Sequence, residues 1–244
     1  KMPELKHSQQ IERLERKAEA QEKYKEALKG KDIESMAKYA KQFSYLTHEM
    51  VEESKKLIEA MGLPMIQAPM ESDAQMAYMN KNKDADYCGS SDFDCLLHAA
   101  PYLVTNLTLS QKKRLPSGAV IKISPELISL KETLKSLGID QEQLIIIGIL
   151  CGTDYNTGGI KGIGPKKALK QIKADFDWKE IFNLFISMRI DKDYKLKWNK
   201  PDPNKIKSIL VKEHDFSEQR VDSILNKLLN QEVKSQTGLD KWFK

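Results

Sequence analysis

The sequence predicts an α/β protein, with a mainly parallel sheet and flanking helices, followed by a wholly helical region. Three observations carry this expectation. Short apolar runs at 63–68, 86–90, 103–107 and 120–123 alternate with helical patterns, which is how strand–helix–strand units read. From residue 124 onward the strand pattern stops and helical patterns follow one another. With 40% hydrophobic and 31% charged residues over 244 positions, the chain can build the core of one large domain or two small ones.

The elements follow in order. Residues 4–30 are dense in Glu, Lys, Arg, Gln and Ala, all strong helix formers, and pair Glu12 with Arg16 and Glu19 with Lys23 at i,i+4. The apolar stripe of this segment is thin, so it reads as an arm or arch and not as a core helix. Gly30 ends it. Asp32 can cap a second helix reaching about Phe43, and a third runs from about Thr47 to Met61 and stops at Gly62. Leu63–Ala68 reads as a short buried strand and 72–80 as a helix. Further strands are expected at Asp86–Ser90, Leu103–Leu107 and Val120–Ile123. Helices are then expected at 125–137, 140–150, 165–173, 178–187, 203–211 and 217–231.

Composition excludes some classes and permits others. The longest apolar run, Leu144–Cys151, is far too short to span a bilayer, and no signal-peptide pattern opens the chain. A net charge of +5 permits nucleic-acid binding if the positive residues gather on one face. Cys88, Cys95 and Cys151 have no metal-type spacing and read as small buried hydrophobes in a reducing compartment. Lys1 opens the chain directly on a helical segment, which reads as a fragment or one part of a split protein, although Met2 as a start fits too.

Five carboxylates stand out. Glu71 and Asp73 follow the strand expected to end near Ala68, and Asp92 and Asp94 follow the one ending near Ser90. Asp154 follows the apolar helix 144–151 in the turn Gly152-Thr153-Asp154-Tyr155. Sites in open α/β sheets form at the carboxyl ends of strands. Oxygen ligands without His or Cys suit Mg²⁺ or Mn²⁺, and a pair of such ions can drive phosphodiester hydrolysis. One acidic pair alone reads as a solvated turn. Two pairs after consecutive strands fit a metal site and solvated turns equally well.

These residues resemble a known family. Ala68-Pro69-Met70-Glu71-Ser72-Asp73-Ala74-Gln75, Ser91-Asp92-Phe93-Asp94-Cys95-Leu96-Leu97 and Gly152-Thr153-Asp154-Tyr155 look like the three acidic motifs of XPG-type 5′ nucleases, in order and in spacing. Asn156–Ala168 looks like the archaeal flap endonuclease form. The resemblance covers the whole chain. It implies a PIN-like 5′-nuclease fold and a structure-specific 5′ flap endonuclease of DNA replication and repair. It implies two Mg²⁺ ions, with Mn²⁺ as an alternative. Glu71 and Asp73 would serve one ion, and Asp92, Asp94 and Asp154 the other, with Asp73 shared. Two positions depart from the family pattern: Asp73 stands where Glu is usual, and Met70 where Ser is usual. The resemblance also implies two further metal-binding aspartates upstream of Lys1, so a separate N-terminal nuclease segment is an expected partner. The isolated chain is then expected to cleave poorly.

Further expectations rest on the same resemblance. Lys6 and Arg13, seven residues apart on one helix face, match the lysine and arginine that contact the scissile phosphate; spacing alone also fits solvated charges. Gly162 and Gly164, followed by Pro165 and a basic helix, resemble a helix-hairpin-helix, with Lys161, Lys166, Lys167 and Lys170 adding phosphate contacts. Relatives bind a monovalent cation there, so K⁺ is expected on carbonyls around Gly159, Ile160 and Ile163. Gln236, Leu239, Trp242 and Phe243 look like a sliding-clamp (PCNA) binding motif; a terminal aromatic pair folded back on the domain is the other reading.

The resulting division is 1–62 arch and supporting helices, 63–139 α/β core, 140–231 helix-hairpin-helix region and 232–244 clamp-binding tail. The expected setting is the cytoplasm of a prokaryotic cell, in association with the nucleoid. The alternative function is a non-catalytic module that binds branched DNA and the sliding clamp.

Overall fold

The structure is a computed structural model of the chain and describes residues 7–40, 42–43, 46–108, 110–115, 118–171 and 178–230. The elements in chain order are α1 (His7–Lys29), α2 (Ile33–Ala40), α3 (His48–Ala60), α4 (Ser72–Lys81), β1 (Cys88–Gly89) and α5 (Asp94–Leu97). They continue with β2 (Tyr102–Thr105), β3 (Lys112–Arg114), β4 (Val120–Lys122), β5 (Glu126–Ser129), α6 (Leu130–Leu137) and α7 (Gln141–Cys151). The last are α8 (Pro165–Lys170), α9 (Lys179–Ile186), α10 (Pro203–Lys207), a π-helical turn (Ser208–Glu213) and α11 (Glu218–Asn230). They fold as two compact units. One joins the described residues up to Ile11 to Ala68–Asp191; the other joins Glu12–Gln67 to the described residues from Lys192 on.

The Ala68–Asp191 unit holds a three-stranded sheet in the order β1-β2-β5. Its β1 runs parallel to β2, with Cys88 beside Leu103. Its β5 runs antiparallel to β2, with Ile128 beside Leu103. Leu103 and Val104 are therefore flanked on both edges and are fully buried. Cys88, Cys95, Leu96, Ala77 and Ala100 complete that core under α4 and α5. A second cluster packs α7 against α9 through Ile145, Ile149, Tyr155 and Phe185. Asp140 and Gln143 form a reciprocal capping box that fixes where α7 begins.

Several strand expectations need correction. Residues 63–68 form no strand; Pro64 and Pro69 lack the N–H a ladder needs, and Leu63 and Met65 are exposed. Residues 126–129 are a strand and not the start of a helix. They supply the antiparallel partner of β2, and Ser129 then caps α6 by accepting from the Glu132 N–H. The strand at 120–122 pairs with 112–114 in an exposed hairpin and not with the main sheet. The first acidic pair thus follows a loop, while the second follows β1 as expected.

The other unit is helical. Thr47 caps α3 by accepting from the Met50 N–H. Its core joins Ala60 of α3 to Ile206, Val221 and Leu225 of α10 and α11. Gly62 is needed where the chain leaves α3. Its φ is +77°, and a Cβ there would lie 2.1 Å from the Asn199 carbonyl oxygen. That contact lets Asn199 donate to the Gly62 carbonyl and Asp202 to the Ala60 carbonyl. Lys207 bridges to Asp222 and Glu218 and ties α10 to α11.

Candidate functional site

Four of the five expected carboxylates act electrostatically on one side chain, the Tyr155 phenol. Glu71 is the N-cap residue of α4 and Asp73 lies in that helix's first turn. Asp94 opens α5. Asp154 sits in the turn after α7, one residue before Tyr155. Anionic side chains at the starts of α4 and α5 are favoured by the positive helix N-termini; Asp154, after the end of α7, has no such support. Tyr155 is only 8% exposed and packs edge-on against Phe185, with ring centroids 5.3 Å apart. Burial pushes its phenol well above the ordinary tyrosine value, and the charges of Glu71, Asp94, Asp154 and Asp73 push it further. Tyr155 is therefore held neutral beside a strongly negative patch. Asp92 lies on the exposed loop between β1 and α5, where its N–H donates to Ser90 Oγ.

The turn that carries Asp154 is closely specified. Asn156 Oδ1 accepts from the Thr153 N–H at 3.0 Å and from the Thr153 hydroxyl at 2.6 Å. Asn156 Nδ2 donates back to the Ile149 carbonyl at 2.6 Å. Ile160 donates its N–H to the Leu150 carbonyl at 2.9 Å. The glycine-rich loop thereby folds onto the end of α7. Gly152 and Gly159 touch at backbone distance: a Cβ on Gly159 would sit 2.4 Å from the Gly152 nitrogen.

The two acidic pairs are also joined directly. Cys95 Sγ, fully buried on α5, donates to Asp73 Oδ1 at 3.0 Å. The Cys95 thiol is pushed far up by the neighbouring Cys88 thiol, by burial and by the Asp73 carboxylate, so it stays protonated. Gln75 of α4 makes two bonds to the backbone of Asp191, donating to its carbonyl and accepting from its N–H. These bonds anchor the helix that bears Asp73.

The donor set fits a hard divalent cation: carboxylate oxygens without imidazole. Among the described residues, no three His, Cys, Asp or Glu side chains close on a single point.

The hairpin lies on the same unit. Ile160 and Ile163 pack with Ile146, Leu150 and Ala168, so the loop is seated on α7. Gly162 has φ +82° and Gly164 is the N-cap of α8, with Pro165 in the first turn. Lys161, Lys166, Lys167 and Lys170 are all exposed, and Lys167 Nζ donates to the Gly162 carbonyl at 2.9 Å. The Ile160 carbonyl accepts from the Ile163 N–H. Arg13 is exposed on α1, in the other unit. Lys6, Gln236, Leu239, Trp242 and Phe243 lie outside the described residues.

Sequence reasoning missed Tyr155, Asn156, Gln75 and the polar role of Cys95. Tyr155 and Asn156 adjoin Asp154 in the motif already singled out, which was the available signal. The partners of Gln75 and Cys95 lie far along the chain and left none.

Residues 62–154 match the family model described as the XPG I-region. Over its whole length the chain is 44% identical to flap endonuclease 1 of Staphylothermus marinus and covers 75% of that protein. The chain belongs to the flap endonuclease 1 family. Flap endonuclease 1 of Aeropyrum pernix is 42% identical, again across the whole chain and 76% of that relative. The flap endonuclease-1 structure from Methanococcus jannaschii superposes with a TM-score of 0.69 at 40% identity, over 84% of this chain and 64% of that one. The catalytic core of Rad2 in complex with a DNA substrate has a TM-score of 0.65 at 23% identity, over 75% of this chain and 71% of that one; this likeness concerns the fold alone. Flap endonuclease 1 nucleases hydrolyse phosphodiester bonds and are metal-dependent in general.

Proposed function

We propose that this chain supplies the acidic metal site and the duplex-gripping hairpin of a structure-specific 5′ flap endonuclease. The nuclease class follows from family membership. The observation that carries the site assignment is the placement of Glu71 and Asp73 at the start of α4, Asp94 at the start of α5 and Asp154 in the turn after α7, with Cys95 beside Asp94 bonded to Asp73 and the charges of these four carboxylates all acting on the buried Tyr155 phenol. In this reading Glu71 and Asp73 hold one divalent ion, and Asp94, Asp154 and the loop residue Asp92 hold a second, with Asp73 shared between them. Mg²⁺ is the expected ion and Mn²⁺ a working substitute. When bound, the ions acidify a water and neutralise charge on the leaving oxygen.

The remaining groups bind and orient. Asn156 holds the Asp154 turn rigid, and neutral Tyr155 adds no further negative charge to the site. Lys6 and Arg13 are assigned to the scissile phosphate. Lys161, Lys166, Lys167 and Lys170, with the backbone at Gly162 and Gly164, take phosphates of the duplex without reading bases. A K⁺ ion on carbonyls near Gly159, Ile160 and Ile163 would belong to that grip. The tail residues Gln236, Leu239, Trp242 and Phe243 are assigned to a sliding clamp; clamp capture unchanged by Phe243→Ala would remove that assignment.

The test uses a 5′-flap oligonucleotide duplex and a single strand of equal length. The flap duplex is expected to bind more tightly, with affinity falling as salt rises, and incision near the junction is expected only with Mg²⁺. Incision in excess EDTA, or equal binding of both DNAs, contradicts the proposal. Tight flap binding with no incision even when the N-terminal nuclease segment is supplied favours a binding module instead.

A further inference from the structure

We propose that Cys95 is a positioning residue that fixes Asp73 and ties the two acidic pairs into one site. It is not a packing filler. The inference rests on the metal-site reading above and goes beyond it. Three observations carry it. Cys95 is 0% exposed, yet its thiol lies 3.0 Å from Asp73 Oδ1, so the sulfur spends its burial on a polar contact. Cys95 directly follows Asp94, so this bond links the helix that begins at Asp94 to the helix that bears Asp73. Asp73 carries a short side chain. Fixing one of its oxygens leaves Oδ2 as its free ligand and removes most of its rotamer freedom.

The proton count sets the direction of the network. A thiol has one proton, and that of Cys95 is aimed at a carboxylate, which can only accept. The bond runs from Cys95 on α5 to Asp73 on α4. Groups that orient a metal ligand from outside the coordination sphere typically change metal affinity by about 10–100-fold when removed.

The pair Cys95→Ala and Cys95→Ser separates packing from positioning, because the two differ by one hydroxyl. Mn²⁺ alone is titrated calorimetrically into the full chain and followed by electron paramagnetic resonance. Cys95→Ala is expected to bind Mn²⁺ about tenfold more weakly than the parent, with an altered spectrum. Cys95→Ser, which keeps a donor, is expected to recover most of the affinity and the parental spectrum. Equal loss in both variants, or loss in neither, overturns the inference while the metal site stands. A parent chain that takes up no Mn²⁺ overturns the metal reading and this inference together. If Cys95→Ala does not fold, Cys95→Val and Cys95→Thr repeat the comparison with the space filled, and the same outcomes decide.

Discussion

Replacing Gly159 by alanine is expected to destabilise the Ala68–Asp191 unit by about 4 kcal/mol, which lowers its melting temperature by about 10 °C. Two effects add. Gly159 has φ +53°, where a Cβ costs roughly 1 kcal/mol in an otherwise open position. The position is not open. The new carbon would lie 2.4 Å from both the Gly152 nitrogen and the Leu150 oxygen, and these are backbone atoms that cannot swing away. Relief requires the loop to lift off the end of α7, breaking the Ile160 N–H to Leu150 carbonyl bond at 2.9 Å. The neighbouring Gly158→Ala is the control. Its φ is +81°, but nothing lies within 4 Å of the added carbon, so only the conformational part of about 1 kcal/mol applies. Thermal unfolding of both variants checks this. Equal effects from the two substitutions would show that the close approach of Gly152 and Gly159 is not a structural requirement.

The same turn shows how far the site was legible in the sequence. Gly152-Thr153-Asp154-Tyr155 marks itself: a glycine ends an apolar helix and a carboxylate follows at once. The acidic pairs were legible for a similar reason, because four like charges at short spacing have few structural roles. The basic hairpin was legible from Gly162, Gly164, Pro165 and the exposed lysines, and the structure seats it on α7. What was not legible depended on partners distant in the chain. Residues 126–129 run straight into an amphipathic helix, so local pattern extends the helix backwards. Only the open edge of β2 makes them a strand. Leu63–Ala68 is apolar enough for a strand, but Pro64 and Pro69 remove the donors it needs. Cys95 reads as a hydrophobe by composition, and its proton acquires meaning only once α4 and α5 pack together. Tyr155 gains its burial from Phe185, a residue on α9 that no motif connects to it.

The fold fixes where each acidic residue leaves the backbone: the start of α4, the start of α5 and the turn after α7. One oxygen of Asp73 is further held by the Cys95 thiol.

The largest functional effect is expected from removing two of these charges together. Asp94→Asn with Asp154→Asn keeps the shape and size of both side chains while deleting two anionic donors from the set that acts on Tyr155. Removing orienting groups alone costs about 10–100-fold in metal affinity, so the loss of two ligands is expected to weaken Mn²⁺ binding by about 100-fold or more. The Tyr155 ring and its packing on Phe185 are untouched by the change, and the variant is expected to fold. Calorimetric titration of Mn²⁺ into the parent chain and into this double variant tests the central claim most directly. The account predicts saturable binding by the parent and none measurable over the same range by the folded variant; equal binding by both chains would contradict it.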